Sequence, residues 1–371
     1  MNKRFLLIIV SIAVVSFAGI YGLKSFPAAF RPGEEENFFI EPIVKQCGVS
    51  WVAGRGSVVK EDFLAVAKNH VDWIVQIPFG WQNSHESPSI RYFTEGRVLW
   101  GETDSGIETT TEAANEFGIK TLLKPHIWLR NARDGKWRTD IAMKNEEDWQ
   151  KWFSDYESFI LHYARLAERI GIEALCIGTE LHGTVAEREQ DWRKLIAKIR
   201  KVYGGKLTYA ANWYKEFKEV QFWDELDFIG VQAYFPLANK EKPTVQELVS
   251  GWKPHFEAVK AVAMRFEKPV VFTEIGYRSM PDGAIEPWKW IRRRERFSDG
   301  ADLQTQANCY EAFFQVFWEQ EWFGGSHFWK WYPNHKRAGG DRNQDFTPQN
   351  KPAQDVMAKW YGRNNHGTEG E

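Results

Sequence analysis

The 371-residue chain holds only three cysteines, Cys47, Cys176 and Cys309. An odd, sparse set does not build a disulfide framework. No CxxC pair is there to form a zinc ribbon. Cys176 falls inside the run Ala174-Leu175-Cys176-Ile177 and reads as a small buried hydrophobe. Net charge is also scarce, since 48 Lys and Arg stand against 50 Asp and Glu, leaving −2 at neutral pH. That balance argues against a nucleic-acid binder, which needs a basic face to displace counterions. No G-x-G-x-x-G follows the first predicted strand and no P-loop occurs, which removes the usual phosphate cradles. The histidines that fall at strand ends, His126, His182 and His327, each stand alone. They lack the HxH spacing of metal-dependent barrel hydrolases. No metal and no cofactor is expected, and no protein partner is evident.

Apolar material is plentiful. Hydrophobic residues make up 43% of the chain and charged ones 26%, an ordinary globular balance that excludes disorder over most of the length. Aromatics are abundant, with 19 Trp, 26 Phe and 12 Tyr. Surplus indole serves either core packing or flat platforms for a ligand, and position must decide.

Asn2-Lys3-Arg4 precedes an apolar stretch from Phe5 to Leu23. A positive end followed by such a run is the pattern of an export signal. The stretch is also just long enough to span a bilayer as a helix. Ser16-Phe17-Ala18 offers a small-x-small cleavage site, so residues 1–23 read as a cleaved signal peptide or a retained membrane anchor. Residues 24–40, with Pro27, Pro32, Gly33 and three consecutive Glu, read as a linker. The remainder is expected outside the cytoplasmic membrane, periplasmic or extracellular. Residues 363–371 read as a polar tail.

Between 41 and 362 short apolar runs alternate with amphipathic segments. Strands are predicted at 46–52, 72–78, 119–124, 173–178, 207–211, 227–233, 269–275 and 325–331. Their continuous rather than alternating hydrophobicity fits strands buried on both faces. Apolar positions at three- and four-residue spacing predict helices over 60–70, 108–117, 146–170, 186–203, 244–267 and 302–321. The fifth crossover, around 214–223, is the weakest. Gly118 and Gly171 lie where left-handed helix C-caps are needed. Eight βα units predict an α/β fold, a (β/α)8 TIM barrel, over a doubly wound sheet.

In such a barrel the site forms at the carboxyl ends of the strands. The fourth strand ends in Gly178-Thr179-Glu180-Leu181-His182, and the seventh in Thr273-Glu274-Ile275-Gly276-Tyr277. Burying a carboxylate at the end of an apolar run is costly without a reason. Two carboxylates facing one another across a barrel mouth suit cleavage of a glycosidic bond, one as acid and one as nucleophile. The other strand ends supply Trp51, Trp81, Lys124, His126, Trp128, Asn212, Trp213, Tyr234, Trp329 and Trp331. Indole plates stack on the C–H faces of a sugar while Asn, His and Lys bind its hydroxyls. Trp152 and Trp192, inside helical patterns, read as packing. The long segments 82–104, 129–145 and 279–300 carry Trp100, Trp137, Trp288 and Trp290, and read as walls of an extended cleft. The basic run Arg292-Arg293-Arg294-Glu295-Arg296 reads as a solvated helix face.

Several stretches carry a likeness to a known family: Ile177-Gly178-Thr179-Glu180-Leu181, Gly230-Val231-Gln232-Ala233-Tyr234-Phe235-Pro236, Phe272-Thr273-Glu274-Ile275-Gly276-Tyr277, Phe328-Trp329-Lys330-Trp331 and Phe346-Thr347-Pro348-Gln349-Asn350-Lys351-Pro352-Ala353. With them the chain resembles clan A of the glycoside hydrolases, most closely family 113, the β-mannanases. The resemblance implies Glu180 as acid/base and Glu274 as nucleophile of a retaining reaction on β-1,4-linked mannan. It matches Tyr234 to the tyrosine that contacts the nucleophile, and Trp329 or Trp331 to the Trp that floors the cleaved sugar. The chain departs from the clan at Thr179, where an Asn normally binds the sugar 2-hydroxyl, and Asn212 is the substitute candidate. The clan's early arginine is not evident, which leaves Lys124 or Arg55 to supply charge beside Glu274. A clan A β-glucanase, an exo-acting β-glycosidase and an inactive carbohydrate-binding barrel are the alternatives.

Overall fold

The computed structural model describes residues 44–132, 135–290 and 300–363. The N-terminal segments 1–23 and 24–40, the run Arg292–Arg296 and residues 364–371 of the tail lie outside the described residues. Among the described residues no helix is long and apolar enough to cross a membrane.

Eight parallel strands close into a barrel: β1 (Gln46–Trp51), β2 (Trp73–Gln76), β5 (Lys120–Leu123), β7 (Ala174–Thr179), β8 (Lys206–Asn212), β9 (Ile229–Gln232), β10 (Val270–Ile275) and β11 (Phe323–Trp331). β11 pairs back onto β1, so no edge remains unpaired. Each predicted strand is present. The helices between them are α1 (Leu64–Lys68), α2 (Asp104–Asn115), α3 (Glu146–Ile170), α4 (His182–Glu187), α5 (Glu189–Arg200), α6 (Glu216–Glu219), α7 (Val245–Phe266), α8 (Leu303–Phe317) and, closing the chain, α9 (Pro352–Tyr361). The weak fifth crossover is one turn of helix, α6, because its apolar positions are too few to anchor a longer one.

The buried residues fall into two sets. Trp73, Val75, Leu122, Ala174, Cys176, Ala210 and Val271 form one cluster, as alternate strand positions on one face do. A larger set from the opposite faces packs against the helices, including Trp152, Trp192, Trp252 and Phe313. Trp152 and Trp192 are fully buried packing residues, as their helical spacing predicts.

Three further strands, β3 (Phe79–Gln82), β4 (Ile90–Tyr92) and β6 (His126–Leu129), form a separate sheet in the order β4-β3-β6. Their origin lies in two prolines. Pro78 follows β2 and Pro125 follows β5. Proline has no N–H for the ladder, so the barrel pairing stops at Gln76 and Leu123 and the chain leaves to pair again outside. Reading 72–78 and 119–124 as strands followed by loops misses this second sheet.

Helix α3 shows how local signals set the ends of these elements. The Asn145 side chain accepts from the Asp148 N–H, and Glu146, Glu147 and Asp148 load the first turn. Gly171 ends the helix at φ 71°, a conformation that costs residues with a Cβ. A Cβ added there would meet no atom within 4 Å. Gly171→Ala therefore loses only conformational energy, about 1–2 kcal/mol, read as a lower urea midpoint at unchanged m-value. An unchanged midpoint would show that the left-handed cap carries no strain.

Candidate active site

β10 delivers Glu274 at the barrel mouth, 6% exposed. Lys124, the residue after β5, reaches across the barrel with its ammonium 2.8 Å from Glu274 Oε2. The same ammonium donates to the Thr273 carbonyl at 3.0 Å and to Gln232 Oε1 at 3.2 Å. Gln232 Nε2 donates to Glu274 Oε2 at 2.9 Å, and the Tyr234 hydroxyl donates to Oε1. Burial pushes the Glu274 carboxyl up in pKa, but the Lys124 charge and these hydrogen bonds outweigh it, and the group is held below the ordinary carboxylate value. The Tyr234 phenol is driven well above its usual pKa by burial and by the Glu274 charge, so it stays a donor. Glu274 is thus an ionised carboxylate in a nearly dry setting.

Glu180 follows β7 in a left-handed backbone conformation, φ 53°. Its N–H remains on the barrel ladder, donating to the Ala210 carbonyl at 2.9 Å. The side chain takes one donor on each oxygen, Asn212 Nδ2 on Oε1 at 2.8 Å and Arg138 Nε on Oε2 at 3.0 Å. A buried brace fixes the backbone on either side. The Leu181 N–H donates to the Tyr209 hydroxyl at 2.7 Å. That hydroxyl donates to Glu216 Oε1, while Glu216 Oε2 accepts from the Asn212 N–H at 2.7 Å. Burial pushes Glu216 up to about 8, against the opposing pull of the Tyr209 and Asn212 hydrogen bonds.

Both glutamates line one cleft of about 670 Å³, together with Arg138, Asn212 and Tyr234. Its walls are aromatic. Trp213 stacks on Trp288 with centroids 5.0 Å apart, Trp128 meets Trp137 edge-on at 4.8 Å, and Trp290 packs beside Phe346 at 5.7 Å. Trp128, Trp288 and Trp290 keep 38%, 40% and 59% of their surface exposed. An ionised carboxylate, a second carboxylate that meets only side-chain donors, and exposed indole faces are what attack on a saccharide requires.

Of the residues predicted from sequence, Glu180, Glu274, Trp128, Asn212, Trp213 and Tyr234 meet at this cleft. Others do not. Trp51 stacks on Phe63 at 4.6 Å and is core, because its strand position faces the helices. Trp331 is fully buried and stacks on His335, whereas Trp329 stays half-buried, edge-on to the cleft residue Trp290. Lys124 is fully buried against Glu274, so it serves the carboxylate rather than a sugar, and the exposed Arg55 is not needed for that charge. His126 lies behind Arg138, its Nδ1 accepting at 3.3 Å. Burial, with the Arg138 and Lys124 charges, keeps its ring neutral. Trp81 sits on β3, outside the cleft. Of the expected loop tryptophans, Trp137, Trp288 and Trp290 line the cleft, while Trp100 packs against the core. Thr179 is buried with its hydroxyl 3.7 Å from Cys176 Sγ and lies outside the cleft lining. Sequence reading missed Arg138, Gln232, Glu216 and Phe346. Gln232 and Phe346 fall inside the family-like stretches, but Arg138 sits in an irregular loop with nothing in its spacing to mark it.

A depressed pKa means the Glu274 charge stabilises the fold above the unfolded carboxylate pKa, and that contribution is lost as pH falls through the folded one. In Lys124→Met the largest offset to burial is lost and only the Tyr234 and Gln232 hydrogen bonds remain. Glu274, followed by side-chain ¹³C NMR, then titrates at higher pH than in the wild type. The stability deficit of the variant, read by urea unfolding, is largest at neutral pH and shrinks as pH falls and the buried carboxylate takes up its proton. An unmoved titration would exclude Lys124 as its counter-ion.

The sequence profile of Glycoside Hydrolase Family 113 matches residues 50–351. Among solved structures, the GH113 β-mannanase AaManA from Alicyclobacillus acidocaldarius, in complex with ManMIm, is 28% identical, with a TM-score of 0.73 over 87% of this chain and 98% of its own. A GH113 β-1,4-mannanase, solved as a complex, is 26% identical, with a TM-score of 0.71 over 86% of this chain and 99% of its own. A β-glucuronidase from Ruminococcus gnavus, at 14% identity and a TM-score of 0.56, covers 86% of this chain and 50% of its own, and shares the fold alone. A search of curated proteins finds no match. With the profile spanning most of the chain and solved members superposing over nearly their whole length, the chain belongs to Glycoside Hydrolase Family 113 and is a glycoside hydrolase.

Proposed function

We propose that the enzyme cleaves internal β-1,4-mannosidic bonds of mannan or manno-oligosaccharides with retention of configuration. The observation that supports this most is the unequal treatment of the two cleft glutamates. Glu274 is locked by Lys124, Gln232 and Tyr234 and held ionised, which suits a nucleophile that must attack the anomeric carbon. Glu180 is held only by side-chain donors, Asn212 and Arg138, which a substrate oxygen can replace.

In this reading Glu180 donates its proton to the leaving glycosidic oxygen as the C–O bond breaks and Glu274 forms the glycosyl ester. Glu180 then takes a proton from water, which attacks the anomeric carbon and releases Glu274. Trp213, Trp288, Trp128 and Trp137 give the cleft indole faces for several sugars, which fits action within a chain. Asn212 and Arg138, released from Glu180, reach the hydroxyls of the cleaved sugar. The solved β-mannanases, at 26–28% identity, favour mannan over the glucan alternative. A polymer substrate also fits a protein sent across the cytoplasmic membrane, the role given to residues 1–23, with membrane attachment through residues 5–23 if the segment is kept.

Purified enzyme on mannan, glucomannan and cellulose oligomers tests this, with product lengths read by chromatography and product anomers by NMR. Manno-oligosaccharides of several lengths, first appearing as the β-anomer, are expected. Glu274→Ala should lower kcat by about 10⁴ or more, and Glu180→Ala should spare activated aryl glycosides relative to mannan. Cellulose preference, α-anomers, or an active Glu274→Ala enzyme would each sink the reading.

A further inference from the structure

The separate sheet of β4, β3 and β6 has two unlike faces. Strand alternation sends Gly80, Gln82, Ile90, Tyr92, Ile127 and Leu129 to one side. That side packs on α3: Tyr92 meets Phe159 at 5.5 Å, Gln82 Oε1 accepts from Trp152 Nε1 at 3.0 Å, and Asp155 accepts from the Ile90 N–H at 3.1 Å. The outer side should be polar if it did nothing but meet water. It carries Phe79, Trp81 and Trp128 instead, with His126 buried and Arg91 exposed among them and Phe79 packed partly on the barrel cluster. Trp81 pairs in register with Trp128 on β6 and with Arg91 on β4, so the three form one row across the sheet. Phe79 touches both indoles, at 6.1 Å from Trp81 and 6.0 Å from Trp128. Trp128 is also a wall of the catalytic cleft. The aromatic paving therefore runs without a break from the cleft to the outer edge of the sheet.

At that edge the chemistry changes from apolar to cationic. The Arg130 guanidinium lies 5.6 Å over the Trp81 ring, and Arg97 lies 5.5 Å over Phe93. Among the described residues Arg91, Arg97 and Arg130, all exposed, have no carboxylate partner. Elsewhere on the surface Arg169, Arg188, Arg193 and Arg200 are ion-paired, whereas Arg55, Arg165, Arg265, Arg337, Arg342 and Arg363 are exposed without a carboxylate partner among the described residues, so it is the grouping of three such arginines around Trp81 and Phe93 that marks this edge. Two hollows flank the Trp81–Arg130 stack. One, of about 280 Å³, is lined by Trp81, Asn83, Ser87, Ser89, Arg91 and Arg130. The other, of about 600 Å³, adds Phe93 and Arg97. Indole faces take the C–H face of a pyranose, and a guanidinium fork takes a carboxylate in two parallel hydrogen bonds.

We propose that the outer face of this sheet is a distal glycan-binding site, continuous with the catalytic cleft, where Arg91, Arg97 and Arg130 hold carboxylate-bearing sugar units of the same polysaccharide. It rests on the reading of the cleft as a mannan-cleaving site. A cationic end on an aromatic track selects chains that carry acidic units some sugars away from the bond being cut.

Binding is measured apart from cleavage, by native affinity electrophoresis in gels holding galactomannan or galactomannan oxidised at C6 to uronate. The wild-type enzyme should be retarded more by the oxidised chain. The triple variant Arg91→Gln, Arg97→Gln, Arg130→Gln should bind the oxidised chain about tenfold more weakly, the sum of three exposed charge contacts, while keeping its affinity for, and hydrolysis of, the neutral chain. A control triple variant with the same loss of charge, Lys201→Gln, Lys253→Gln, Lys260→Gln, should bind the oxidised chain as the wild type does. Equal retardation by both chains, or equal loss in both triple variants, overturns the proposal. So does arginine-dependent binding to vesicles of anionic phospholipid without preference for the oxidised chain. Failure to hydrolyse mannan would overturn the catalytic reading and leave the binding comparison intact.

Discussion

The contact on which the site depends is a single ion pair buried across the barrel mouth. Lys124 and Glu274 come from strands on opposite sides of the barrel, and their side chains are 0% and 8% exposed. Neither charge tolerates that burial alone, since breaking such a pair leaves an uncompensated ion at a cost of about 3–5 kcal/mol. The other two ammonium protons go to Thr273 and Gln232, and the carboxylate also accepts from Gln232 and Tyr234. The pair therefore ties the third, sixth and seventh barrel strands into one rigid unit and sets the charge state of the carboxylate at the same time. Rigidity and reactivity follow from the same contact.

Glu180 is held on a different principle. Its main chain is fixed from behind by Tyr209 and Glu216, while its carboxyl meets only the cleft residues Asn212 and Arg138. A group that must gain and lose a proton benefits from a firm base and exchangeable partners. The barrel supplies the base through strand ends, and the segment after β6 supplies Arg138. The aromatic walls come from loops as well, so the chemistry sits on the strands and the loops beyond them shape the cleft.

Much of this was legible in the chain. The eight apolar runs recur because parallel barrel strands are buried on both faces, and that burial leaves a continuous hydrophobic signature. The glutamates stood out because each ends such a run, where a charge is costly. Tyr234, Asn212, Trp128 and Trp213 followed from the same address rule. Trp51 and Trp331 show its limit: a residue at a strand end faces either the mouth or the helices, and a slip of one position reverses the choice. The second sheet was hidden because a proline after a strand marks an interruption without saying that the chain pairs again beyond it.

Sequence by itself determined the number and order of the barrel strands, the helix ends at Asn145 and Gly171, and which two carboxylates stand at the mouth. These depend on local periodicity, capping and burial, which neighbouring residues encode. Tertiary structure alone decided that Lys124 rather than Arg55 neutralises Glu274, that Arg138 reaches Glu180, and that Glu216 braces it from below. Those partners lie far apart in the chain or in irregular segments. Only closure of the barrel, which brings the third strand across to the seventh, puts their charges within a few ångströms of one another.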